Sequence, residues 1–125
     1  MDENEVGKII LGCALKVHRA LGPGLLEKAY EVCLAHELSK VGIEHKRQLM
    51  LPVVYDGIRI DLGYRLDLLV ADLVVVEAKA IDAFTDIHRA QLLSYLKLGG
   101  YKLGYLLNFN VKMFRDGIRR VANGL

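Results

Sequence analysis

Asp67, Glu77 and Lys79 are ionisable residues set among apolar ones, which is where chemistry first shows in this chain. Asp67 lies between Leu66 and Leu68-Leu69 in a strand-like run and is expected to be at least half buried. Ten residues later the apolar run Leu73-Val74-Val75-Val76 ends in Glu77-Ala78-Lys79, and a period of two puts Glu77 and Lys79 on one face. Two carboxylates brought together repel unless a cation sits between them. Hard oxygen donors of this kind suit Mg²⁺ or Mn²⁺, which bind through one or two carboxylates, waters and a substrate phosphate. The spacing therefore points to a hydrolytic metal site.

Such a site has a geometric condition. A two-residue turn at Ala71-Asp72 pairs Val70 with Leu73, sets Asp67 opposite Val76 and leaves Glu77 on the other face. A three-residue connection, Ala71 to Leu73, or a bulge sets Asp67 opposite Glu77, and one of these is expected. The bland alternative is a salt bridge of Lys79 with Glu77 or Asp67 that fixes the sheet register and binds no metal. Glu44-His45-Lys46 repeats the same spacing without a buried Asp before it, and is expected to be solvated surface. Downstream, His88, Gln91 and Tyr95 fall at i, i+3 and i+7 on one helix face. Alone such a stripe reads as a face in water; beside the strand it reads as the wall of a site.

The elements that must position these residues follow from periodicity. Val6, Ile9, Ile10, Cys13, Ala14, Val17 and Leu21 predict an amphipathic helix over about 3–20, ended by Gly22-Pro23-Gly24. A second helix is predicted from about Leu25 to Lys40, with Leu26, Ala29, Tyr30, Cys33, Leu34, Leu38 and Val41 inward, Glu27 in its first turn and Gly42 just past its end. The period then changes to two, predicting strands over Ile43–Val54 and Ile58–Val70 joined at Tyr55-Asp56-Gly57, with Pro52 marking the first as an edge. LVVVEAKA reads as a central strand, apolar on both faces at its start. Thr85 can cap a third helix through about Leu98, KLGYLLNF is a fourth strand, and VKMFRDGIRRV reads as a short hairpin around Asp116-Gly117. The order is α-α-β-β-β-α-β with a terminal hairpin.

At 125 residues, 53% hydrophobic and 26% charged, the chain suits one compact domain spanning 1–125. Lys and Arg exceed Asp and Glu by only 17 to 15, so any anion must be held by local geometry and not by an overall field. Its basic residues are scattered; His45-Lys46-Arg47 and Lys112, Arg115, Arg119 and Arg120 are the best clusters, and a solvated face is the simpler reading of both. Cys13 and Cys33 have no CxxC spacing and read as core packing in a reducing compartment. The polar start MDENEVGK lacks a signal-peptide pattern, and no apolar run approaches a membrane span, so a soluble cytoplasmic protein is expected.

GLLEKAY, at Gly24, Glu27 and Tyr30, resembles the signature of the GxxExxY proteins, a bacterial and archaeal group within the PD-(D/E)XK nuclease-like superfamily. The Asp67 strand, VVVEAKA, AQLLSYLKL and LLNF follow in the order that family shows. The proline that often precedes the superfamily's aspartate is Leu66 here. This resemblance implies an α/β (α+β) fold with a restriction-endonuclease-like α-β-β-β-α-β core, a mixed sheet flanked by helices, to which the first helix and the terminal hairpin are additions. It implies a metal-dependent nuclease in which Asp67, Glu77 and the Ala78 main-chain carbonyl bind Mg²⁺ or Mn²⁺. Lys79 would orient or deprotonate the attacking water, its ammonium being a compact charge whose pKa falls readily on burial. Glu27 would reach the metal waters or a second ion; stabilisation of its helix N-terminus is the structural alternative. Gln91 and Tyr95 would contact the substrate backbone or brace the lysine, with His88 behind them. The implied partner is nucleic acid, DNA before RNA, and a domain this small is expected to act as a homodimer or beside another subunit. A non-catalytic binding or interaction module on the same fold is the rival, since fold does not fix activity.

Overall fold

In the computed structural model, which describes all 125 residues, two helices open the chain: α1 (Glu3–Leu21) and α2 (Glu27–Lys40). Asp2 starts α1 by accepting from the Glu5 N–H, while the Glu5 carboxylate accepts from the Asp2 N–H, a reciprocal pair that satisfies two otherwise orphaned donors. The strands β1 (His45–Met50), β2 (Val53–Tyr55), β3 (Ile58–Ile60), β4 (Arg65–Val70) and β5 (Val74–Lys79) come next. Then follow α3 (Asp86–Gly99), β6 (Leu103–Asn108), a short 3-10 helix at Phe114–Gly117, and β7 (Ile118–Ala122).

One mixed sheet has the order β1-β4-β5-β6-β7, in which only β5 and β6 run parallel. Helices α1 and α2 cover one face, where Ile10, Ala14, Leu34 and Leu38 pack with Leu68, Val76, Tyr105 and Leu107. Helix α3 covers the other, where Leu92 and Leu96 meet Val75, Leu106 and Val121. A parallel pair needs a crossover, and α3 is that crossover. With both faces covered, every residue of β6 is buried and β5 is buried from Val74 to Ala78, as the continuous apolar runs require. This is the expected mixed α/β architecture with a restriction-endonuclease-like core.

Several local expectations are corrected. The two long strands each divide: β1 stops at Met50 before Pro52, and the second breaks over residues 61–64, where Gly63 has φ +78°. The result is a separate β2-β3 hairpin, turned by Asp56 and Gly57, both at positive φ. Leu26 and Val41 do not face inward but are 82% and 56% exposed, because they cap α2 and lie outside its helical face. The predicted terminal hairpin does not form. Residues 118–122 pair with β6, and Gly117 serves close packing, since a Cβ there would strike the Asn108 carbonyl. Buried Phe114, against Phe109 and His18, pins that crossing.

Candidate active site

The turn between β4 and β5 decides the site. Ala71 and Asp72 both have φ +54°, and the ladder pairs Val70 with Val74, Leu69 with Val75 and Leu68 with Val76. This is the three-residue connection, and the same register puts Asp67 opposite Glu77 on the α3 face. The regular ladder ends at Leu68, and side chains take over: Asp67 Oδ2 accepts from the Ala78 N–H at 2.9 Å, and Glu77 Oε2 accepts from the Asp67 N–H at 3.4 Å. Each carboxylate thus spans the gap to the other's strand. In an extended strand, one residue's N–H and C=O leave on the same side, so the Ala78 carbonyl also faces the gap.

Glu77 is 6% exposed, and its Oε1 is the one buried side-chain polar atom without a hydrogen-bond partner. Burial, and then the neighbouring Asp67 carboxylate, push its pKa up from the ordinary glutamate value to about 9. Lys79 is half-buried and in no ion pair, so the alternative of a salt-bridged register lock is not what forms. An orphaned oxygen beside a second carboxylate fits a hard divalent cation, which would satisfy that oxygen and lift the repulsion. No third Asp, Glu, His or Cys joins the pair, so main chain, water and substrate must complete any coordination shell.

Other expected site residues divide. Tyr95 stands close enough to Glu77 and Asp67 that burial, followed by Glu77, raises its pKa; Gln91 donates to its hydroxyl at 3.1 Å, and Tyr64 packs against its ring at 5.8 Å. Of the helix stripe, Tyr95 thus lies beside the carboxylates and Gln91 is bonded to it. His88 is spoken for elsewhere: its Nδ1 accepts from the Thr85 N–H at 2.9 Å, which fixes the start of α3. Glu27 is exposed at the start of α2 and accepts from the Ala80 N–H at 3.4 Å, one residue beyond Lys79. The structure brings it to the end of β5 but not into the carboxylate pair.

The stretch around Glu27 has a physical account. Gly24 takes φ +105°, which side chains disfavour. Buried Tyr30 donates to the Gly22 carbonyl at 2.6 Å, accepts from the Leu25 N–H at 3.1 Å and stacks on Phe109 at 4.6 Å. Glycine lets the loop turn, and tyrosine clamps it one helical turn from the glutamate.

Two supports escaped the sequence reading. Asn108, beside Lys79 in the parallel ladder, accepts from the Ile81 and Asn110 N–H groups and donates to the Ile81 carbonyl, so it fixes the chain where β5 exits. Its signal was a polar residue closing an otherwise apolar strand. Glu31, 4% exposed, accepts from Arg47 at 2.8 and 3.0 Å and from Gln48 at 2.7 Å. Consecutive strand residues normally point to opposite faces, and Gln48 joins Arg47 only because its φ is +52°. Arg47 pairs with Leu68 and Leu49 with Leu66, so Gln48 lies opposite Asp67.

The mixed sheet and its crossover helix define a restriction-endonuclease-like fold, and Asp67 on β4 and Glu77 on β5 come together with Lys79 two residues after Glu77. The PD-(D/E)XK nuclease superfamily model matches residues 4–121, and the chain belongs to that superfamily. No curated protein and no solved structure matches the chain. No helix is long and apolar enough to cross a membrane.

Proposed function

We propose that the protein is a divalent-metal-dependent nuclease that hydrolyses phosphodiester bonds of nucleic acid, DNA before RNA, as one cytoplasmic domain of the GxxExxY branch. The observation that carries this reading is the unpartnered Oε1 of buried Glu77, whose other oxygen reaches Asp67 across the opened ladder. Asp67, Glu77 and the Ala78 carbonyl would hold Mg²⁺ or Mn²⁺. Bound there, the ion would lower the pKa of a water and offset charge on the scissile phosphate. Lys79, on the same face and free of ion pairs, would orient the attacking water and stabilise charge on the phosphoryl oxygens. Gln91 and Tyr95 would bracket the substrate backbone. Glu27 would act from the strand end on waters or a second ion, and His88 would act only by fixing α3.

The test is incubation of the purified protein with single-stranded DNA, duplex DNA and RNA in Mg²⁺, Mn²⁺ or EDTA, with Lys79→Ala in parallel. Cutting that needs metal and is lost in the variant is the expected outcome. No cutting of any substrate alongside calorimetric Mn²⁺ binding would overturn catalysis by the isolated chain in favour of a binding module or a subunit that needs a partner.

A further inference from the structure

The row of residues that holds the carboxylates continues across the sheet. Glu77 pairs with Leu106 on β6, and Leu106 with Arg119 on β7, so Asp67, Glu77, Leu106 and Arg119 form one line on the α3 face. Two strand spacings separate Glu77 from Arg119, roughly 10 Å across the sheet. Leu106 also forms the floor of a concave pocket of about 420 Å³ at the start of α3, walled by Phe84, Arg89 and Arg119. Arg119 lies over the Phe84 ring at 4.8 Å and donates through Nη1 to the Asp116 and Ile118 carbonyls, an anchoring that holds the guanidinium in place. Neither Arg89 nor Arg119 is ion-paired, although Asp86 lines the same pocket. Arg120 is engaged by Asn4.

We propose that this pocket binds a phosphate of the nucleic-acid strand one or two nucleotides from the scissile bond, on the β7 side of the carboxylates. The proposal rests on the nuclease reading and names the path of its substrate. Two guanidiniums without a counter-ion, one braced by an aromatic ring and backbone carbonyls, are suited to a phosphodiester oxygen pair. Contacts of this kind add affinity without reading sequence.

The test is fluorescence anisotropy of a labelled single-stranded oligonucleotide, as DNA and as RNA, in EDTA over a range of salt. EDTA stops metal-dependent cleavage, so binding is read whether or not the chain cuts. Arg89→Gln and Arg119→Gln should each weaken binding about 5–10-fold at low salt and flatten the log affinity against log salt slope by about 0.7, one phosphate contact on a single strand. Asp86→Asn should tighten binding, and Lys46→Gln, at the far edge, should change nothing. Circular dichroism checks folding, and Arg119→Lys, which keeps the charge, should recover part of the loss. Unchanged affinity and slope in both arginine variants would overturn the proposal even if the protein cuts, as would a wild-type chain that binds no oligonucleotide. If inorganic phosphate alone raised the melting temperature through Arg89 and Arg119 while oligonucleotide binding ignored them, the pocket would serve a free anion and the proposal would fail.

Discussion

Two glutamates are buried to almost the same degree, Glu31 at 4% and Glu77 at 6% exposure, and they could hardly be treated more differently. Glu31 has both oxygens occupied, by the Arg47 guanidinium and the Gln48 amide. Glu77 faces another carboxylate, keeps one oxygen without a partner, and has its pKa pushed to about 9. Burial alone therefore does not mark a reactive carboxylate. The mark is burial whose cost the protein leaves unmet, since a buried charge is tolerated only when paired or metal-bound.

The largest effect should come from the unmet residue. Glu77→Gln keeps the side chain's size and removes the carboxylate a cation would bind, so it should abolish metal-dependent cleavage, a loss of at least about 10²-fold, while the fold survives. Cleavage assays with circular dichroism on the same sample check this. Residual activity near wild type would remove Glu77 from the site, and the contrast with Glu31 would lose its meaning. Glu31→Ala should do the reverse in kind. It strips partners from Arg47 and Gln48, and as Arg47 can recover some hydration the cost should be about 2 kcal/mol, read from the urea midpoint at constant m-value. Any activity loss should follow the fraction unfolded.

The two glutamates were not equally legible in the sequence. Asp67, Glu77 and Lys79 announced themselves as charges inside apolar runs, and the condition on the β4-β5 connection could be written from residue counts alone. Glu31 sits on a helix whose polar and apolar positions do not separate cleanly, and its partners come from a strand many residues away. Nothing local distinguishes it from Glu37, which binds Lys16 and Lys40 near the surface. The long strands were misjudged for a related reason. Period-two alternation runs through Leu51-Pro52 and residues 61–64, but the chain leaves the sheet there to build the β2-β3 hairpin, and alternation reports which face a residue takes without saying which sheet it belongs to. His88 looked like part of a polar stripe because helix spacing shows a shared face but not that one member is consumed by the backbone at the helix start.

A further effect separates the glutamates by pH. Unfolded glutamate loses its proton near 4.5, whereas Glu77 in the metal-free protein keeps its proton up to about 9. The folded state therefore binds more protons across that window, and stability must fall as pH rises through it. The contribution is full below about 4.5 and lost towards about 9. Glu77→Gln has no proton to lose, so in EDTA its unfolding free energy should decline less between those limits than that of the wild type. Urea titrations at several pH values measure the difference. An identical slope for the two proteins would mean that Glu77 is ionised in the fold and already has a partner.

The smallest effect belongs to the second copy of the motif. Lys46 repeats the position of Lys79 two residues after a glutamate, but it lies on edge strand β1 and pairs with Asp72 at 3.2 Å, both side chains being at least half exposed. That pairing holds its pKa above the ordinary lysine value, the Asp72 hydrogen bond being the main cause. Water already solvates both charges, so Lys46→Ala should leave cleavage and the urea midpoint unchanged, whereas Lys79→Ala should remove cleavage. If Lys46→Ala lowered activity as Lys79→Ala does, three letters of sequence would be acting regardless of position. The opened ladder opposite Asp67 would then not be what makes one copy a site.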